Sequence, residues 1–352
     1  NSKTSYNGNY GLNASWTIYN GSKRLKTLKQ ERLNNQIAEL DVATSENTIK
    51  ESIAQIYIQI LYAAESVRVN ENTLQVSIAQ RDRGQELLNA GSIAKSDLAQ
   101  LEAQVSTDRY QLVTAQATLQ DYKLQLKQLL ELDGENEMNV YLPKLSDENV
   151  LAPLPAKKDV YVSALAIRPE IEASKLNVEA SELGIDIAKS SYFPTISLSA
   201  GIGTNHTSGS DFTFGEQVKN GWNNSFGLSV SVPIFNNRQT KSAVQKAKLQ
   251  RETNMLSLLD EQKALYKTIE SLWLDANSAQ QRYAAANEKL RSTQISYDLI
   301  SEQFNLGMKN TVELLTEKNN LLQAQQEQLQ AKYMAILNTQ LLKFYQGDKL
   351  TL

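Results

Sequence analysis

The chain has 352 residues, 36 of them basic and 39 acidic, for a formal net charge of −3, and it carries 15 glycines, 6 prolines and no cysteine. Charge so balanced along the chain leaves no basic field of the kind nucleic-acid binding needs, and no run of about eighteen apolar residues marks a transmembrane helix. So few chain breakers over such a length predict long unbroken elements, while the lack of cysteine suits an oxidising compartment and a thiol-free cytosolic scaffold alike.

Taken in order, residues 1–8 are polar turn formers. Residues 9–24, NYGLNASWTIYNGSKR, place Tyr10, Leu12, Ala14, Trp16 and Ile18 on one face and Gly11, Asn13, Ser15 and Thr17 on the other. Only a strand has that period. From residue 22 to residue 89 a helical pattern runs with Gly84 as its one glycine and no proline. At roughly 1.5 Å per residue it would be about 100 Å long, too long for a globular domain. The break falls at Ala90-Gly91-Ser92, where Gly91 suits a helix stop and Ser96 with Asp97 suits the next start. Leu98, Val105, Leu112, Leu119 and Leu126 then recur every seventh residue, the spacing of a coiled-coil seam.

Residues 133–155 turn irregular, with a candidate short strand at 139–143. A short helix over Lys157–Ile167, a break at Arg168-Pro169 and a helix over 170–190 lead into a second alternating run, 194–203, which carries Ile196, Leu198, Ala200 and Ile202. A polar, aromatic-dotted loop is expected over 204–222. The third run, 224–238, sets Phe226, Leu228, Val230, Val232 and Ile234 against Ser225, Gly227, Ser229 and Ser231. It should pair with the second as a hairpin. Another long helix over 238–305, a turn at Leu306-Gly307-Met308 and a returning helix with Leu315, Leu322, Leu329 and Ile336 at sevenfold spacing close the chain.

The first and third runs begin an internal duplication. Ile18 and Ile234 stand 216 positions apart, and the same offset brings Ile53 to Ile269, Tyr57 to Trp273, Asp82 to Asp298, Glu86 to Glu302, Asn89 to Asn305, Gly91 to Gly307 and Leu98 to Leu314. The mates of the helix at 170–190 and the strand at 194–203 would precede Asn1. A further helix and strand of roughly fifty residues are therefore expected upstream.

The strands are about as long as a tilted strand needs to cross a bilayer, with small polar residues opposite the apolar face, as a water-filled lumen requires. Trp16, Tyr19, Tyr192, Phe193, Trp222 and Phe235 cluster at strand ends and suit interfacial girdles. Signals for an enzyme are weak. The single histidine, His206, reads as a solvated loop residue with no metal partners. Ser92 to Lys95 spells S-x-x-K, but its duplicate at Met308 to Thr311 has no matching nucleophile. The glycines from Gly201 to Gly209 open no helix and form no nucleotide fingerprint. No catalytic residue, cofactor or metal site is assigned.

The strand end Val232-Pro233-Ile234-Phe235-Asn236-Asn237, its twin Ile18-Tyr19-Asn20-Gly21, the paired glycine-centred turns and the duplication together resemble the TolC-type outer-membrane efflux proteins, over essentially the whole chain. Asn237 stands where that family prefers Gly, and Thr17 where it prefers Pro. The resemblance implies a mainly α fold with membrane β: a homotrimer whose subunits share one twelve-stranded transmembrane β-barrel and build a long coiled-coil α-barrel, the periplasmic tunnel. Residues 1–20 and 191–236 would form barrel strands and extracellular loops, residues 21–130, 168–190 and 237–345 the tunnel, and residues 131–167 with 346–352 an equatorial domain. The lipid-facing set is Tyr10, Leu12, Trp16, Ile18, Ile196, Leu198, Phe226, Leu228, Val230, Val232 and Ile234.

The resemblance further implies a passive exit duct for small molecules or proteins in a tripartite efflux or type I secretion system. Its partners would be a periplasmic adaptor (membrane fusion protein), an inner-membrane pump and outer-membrane lipid. The tips at Ala90, Gly91, Ser92, Leu306, Gly307 and Met308 would dock the adaptor. Asp97 would bond Lys309 to hold the tunnel shut, and Glu313 would lie in an acidic constriction. The family's second acidic position is Thr316 here, so Glu317, one turn on, would complete the ring. A structural coiled-coil or adaptor-like periplasmic protein is the alternative, although no lipoyl-like segment flanks a hairpin.

Overall fold

A computed structural model describes residues 4–132, 138–143 and 150–350. In chain order the elements are β1 (Asn7–Asn20), α1 (Lys23–Asn89), α2 (Lys95–Leu129), α3 (Lys157–Ile167), α4 (Pro169–Ser190), β2 (Thr195–Thr207), α5 (Phe214–Asn220), β3 (Asn223–Ser231), α6 (Gln239–Asn305) and α7 (Thr311–Gln346). Two compact units result, one from Asn1–Asp41 with Pro169–Glu261 and the other from Val42–Arg168 with Gln262–Leu352.

The first unit holds an antiparallel sheet in the order β1-β2-β3. Its register lines up Leu12, Ile202 and Asn224, then Ala14, Ala200 and Phe226, then Trp16, Leu198 and Leu228 in cross-strand rows on one face. Asn13, Gly201 and Ser225, and Ser15, Ser199 and Gly227, make the rows of the other face. A register shift between Thr17 and Tyr19 puts Tyr19, rather than Ile18, opposite Ile196. β3 ends at Ser231, so Val232 and Ile234 lie beyond it. Pro233 has no N–H to continue the ladder. Conversely, β2 runs on to Thr207, and the expected loop contains α5. His206 is therefore a strand residue, paired with Gly8, its ring edge-on to Phe214 at 5.0 Å. Polar side chains fasten the neighbouring helices: Gln30 donates to the Ala180 carbonyl at 2.8 Å, and the Arg251 guanidinium meets Glu182 at 2.8 Å.

The second unit is helical. Ala54, Ile58 and Leu61 of α1 pack on Tyr333, Leu337 and Leu341 of α7, and Val150, Ala279 and Tyr283 pack on Ala331 and Ala335. The expected strand at 139–143 is absent: the segment has no ladder and is pinned to α1 by the Tyr57 hydroxyl, which donates to the Tyr141 carbonyl at 2.8 Å. α3 is tied down by the Trp273 indole, which donates to the Pro155 carbonyl at 3.0 Å beneath the Lys157 ammonium. Where α3 ends, the buried Arg168 meets Glu51 at 2.8 Å and stacks on Tyr345.

The duplication survives in the backbone. α1 and α6 are both 67 residues long. Gly21 and Ser22 take φ of 65° and 63°, and their mates Asn237 and Arg238 take 50° and 60°. Asparagine tolerates that left-handed region better than most side chains, which accommodates the departure from glycine at 237.

Candidate functional site

Both helix hairpins of the second unit turn on a glycine. Gly91 and Gly307 adopt φ of 73° and 74°. In each turn the glycine N–H and the next N–H reach back to carbonyls of the last helical turn, Leu88 and Leu87 in one and Phe304 and Gln303 in the other, at 2.8–2.9 Å. This closes the orphaned carbonyls in a Schellman arrangement. Among the described residues, no atom beyond the adjoining residues lies within 4 Å of where a Cβ would sit on either glycine, so backbone conformation rather than space demands glycine here. Leu306 and Met308 are exposed beside Gly307, while Leu101, Phe304 and Leu314 make the apolar plug beneath the turns.

The acidic and basic residues expected near the tips all lie just past these turns. The Asp97 carboxylate accepts the Ala94 N–H at 3.0 Å and caps α2. Lys309 meets Glu313 at 2.6 Å, and the other Glu313 oxygen accepts the Asn310 N–H at 3.2 Å. The Lys309 ammonium, helped by that N–H, holds the Glu313 carboxyl below the usual carboxylate range. Within the chain, then, Lys309 bonds Glu313 and Asp97 bonds its own helix end. Glu317 accepts the Ser296 hydroxyl at 3.0 Å, tying α7 to α6.

One cluster lies outside every expectation drawn from the sequence. Lys318 of α7 donates to the Asp108 carboxylate of α2 and to the Ser77 hydroxyl of α1, and Ser77 donates to the same carboxylate. Gln104 donates to the second Asp108 oxygen at 2.9 Å. Lys318 and Asp108 are each only 3% exposed. Burial pushes the Lys318 ammonium pKa down and Asp108 pulls it back. The signal was present in the spacing: Asp108 stands three residues after Val105 of the α2 seam, and Lys318 three after Leu315 of the α7 repeat, both at positions a coiled coil fills with apolar side chains.

The family model for outer membrane efflux proteins matches residues 1–131 and 160–347. The chain belongs to the outer membrane efflux protein family. It is 25% identical over 294 residues to outer membrane efflux protein BepC of Brucella suis, covering 83% of this chain and 61% of that protein. It is likewise 25% identical over 341 residues to outer membrane protein TolC of Escherichia coli, covering 93% of this chain and 66% of that one. The chain thus spans less than two thirds of the length of either relative. A crystal structure of CusC superposes with a TM-score of 0.83 at 19% identity, covering 98% of this chain and 83% of the other, so the fold is shared.

Proposed function

We propose that the protein is the outer-membrane exit duct of a tripartite efflux or type I secretion system, working passively as a homotrimer. The observation that carries this reading is the bare apolar face of the sheet: Phe226, Leu228 and Val230 are 85%, 67% and 57% exposed, and Leu12 and Trp16 are as open. Burying each such side chain gains about 1.5–3 kcal/mol, which bilayer hydrocarbon supplies. In lipid, the free edges of β1 and β3 would leave backbone groups unsatisfied at several kcal/mol each, so strands from further copies must close the sheet into a barrel. The opposite face, rich in Ser, Asn and Gly, then lines a wet lumen.

On this reading the helices form the periplasmic tunnel, residues 131–167 and 346–352 its equatorial belt, and the two glycine turns the tips that dock a periplasmic adaptor serving an inner-membrane pump. Threefold symmetry would bring three Lys309–Glu313 pairs and three Asp97 carboxylates to the tunnel's end, where an acidic ring favours cations. Opening would exchange the partners of Lys309 between Glu313 and Asp97.

Single-channel recording of the purified trimer in planar bilayers tests this. Discrete channels are expected, Asp97→Ala or Lys309→Ala should raise conductance, and Glu313→Gln should lower cation selectivity. A protein that extracts without detergent and forms no channels would overturn the reading.

A further inference from the structure

A second polar site lies in the helical unit, and its shape follows from the duplication. Between α6 and α7 is a cleft of about 350 Å³ lined by Lys289, Ser292, Thr293, Ser296, Asn320, Gln323 and Glu317. Moved back by the repeat offset, these residues fall on Thr73, Val76, Ser77, Gln80, Gln104, Thr107 and Leu101. They are the faces of α1 and α2 that receive Lys318: Ser77 bonds its ammonium, and Gln104 holds the Asp108 carboxylate that neutralises it. The cleft is therefore the mate of an occupied site.

In the occupied site the inserted group comes from the hairpin that follows α1 and α2. On the trimeric reading, the hairpin that follows α6 and α7 around the tunnel is α1–α2 of a second copy, and the mate of Lys318 is Glu102 on α2, an exposed residue in the isolated subunit. The chemistry changes in step with that inversion of charge. Asp108, which anchors the lysine, is replaced by the buried Ala324, and Thr73 by Lys289. An acid has left and a base has joined, while the acid gained in place of Leu101, Glu317, is engaged by the Ser296 hydroxyl, which leaves hydroxyl and amide donors facing the cleft.

We propose that this cleft is a subunit-interface socket and that its occupant is Glu102 of the partner subunit. The inference rests on the trimeric reading above and names the residues that join one copy to the next. Lys289 is shared with Glu327, which it meets at 2.7 Å, and the lining Glu317 accepts from Ser296. The incoming carboxylate therefore relies on hydroxyl and amide donors such as Ser292 and Asn320 as much as on the ammonium.

These 352 residues contain no cysteine, so paired cysteines placed among them report proximity cleanly. Glu102→Cys with Thr293→Cys, treated with a short bis-maleimide in native membranes, should give covalent dimers and trimers on denaturing gels, and neither single variant should. Arg83→Cys with Asn305→Cys, exposed neighbours on α1 and α6, should crosslink within one chain and give no ladder. Trimers that conduct but yield no ladder from the first pair overturn the socket and leave the duct reading intact. A monomer that neither conducts nor crosslinks overturns both. As a second measurement, Glu102→Ala should lower the temperature at which the trimer dissociates without changing helix content, and should add nothing in a Thr293→Val, Asn320→Leu background. A full additional loss there counts against the socket.

Discussion

At the first turn of α7, one carboxylate does two things: Glu313 accepts the Asn310 N–H and holds the Lys309 ammonium. Its folded pKa lies below its ordinary value, so its contribution is fully present above about pH 4.5 and is lost as the pH falls through the folded value. Amide exchange in the first turn of α7, corrected for intrinsic rates, should accelerate as the pH falls below about 4.5, and Glu313→Gln should remove that pH dependence. The buried cluster responds differently. Lys318→Met strands the Asp108 carboxylate in the helix seam and should cost about 3–5 kcal/mol, whereas Lys318→Met with Asp108→Leu should recover most of that loss. Thermal melts of both variants check this, and equal losses in the two would contradict it. The difference between Glu313 and Lys318 also marks how far the sequence could be read. Charges beside a glycine turn are visible because the turn is local. Asp108 and Lys318 meet only because three helices pack, and their clue, a charge in a heptad seam, points to a cost before it points to a partner.

For whole elements, helix ends were legible because the breakers are few and strong. Gly91, Gly307 and Pro169 stop or start helices within a residue of where the pattern places them. The strands were less legible at their ends. Alternation continues through Val232 and Ile234, but a ladder needs an N–H at every other residue, and Pro233 has none. α5 was hidden in a polar loop whose one signal is the capping box in which the Thr213 hydroxyl and the Glu216 carboxylate each accept the other's N–H. The sevenfold repeat in α7 also reads differently once packed. Leu314, Lys318 and Leu321 form the stripe buried inside the subunit, while Leu315, Leu322 and Leu329 stay half-buried. The glycine turns provide the test at this scale. Because a Cβ on Gly307 would meet nothing beyond its adjoining residues among the described ones, its φ is what penalises substitution, so Gly307→Asn should be tolerated while Gly307→Val destabilises by about 1–2 kcal/mol or more. Chemical denaturation of the two variants distinguishes conformational strain from crowding, since crowding would penalise both.

For the molecule as a whole, the duct reading divides its three tryptophans. Trp16, expected at a strand end among the interfacial aromatics, lies instead inside the ladder in the row Trp16, Leu198 and Leu228, and Trp222 stands immediately before β3, donating to the Asn224 side chain at 3.1 Å. Both are more than half exposed. Trp273 belongs to the helical unit, where its N–H is taken by the Pro155 carbonyl and its ring face by Lys157. If the apolar face of the sheet meets hydrocarbon, Trp16 must lie in the acyl region, while Trp222, with its N–H engaged by an amide, suits the headgroup boundary where tryptophan is enriched. Variants that keep one tryptophan and carry Phe at the other two, reconstituted in vesicles of lipids brominated at defined depths, should report this directly. Trp16 should be quenched most by deep bromines, Trp222 by shallow ones and Trp273 by neither. A soluble quencher such as acrylamide should reach Trp222 before Trp16. Equal quenching of Trp16 and Trp273 would place the sheet outside the bilayer and remove the observation on which the duct reading stands.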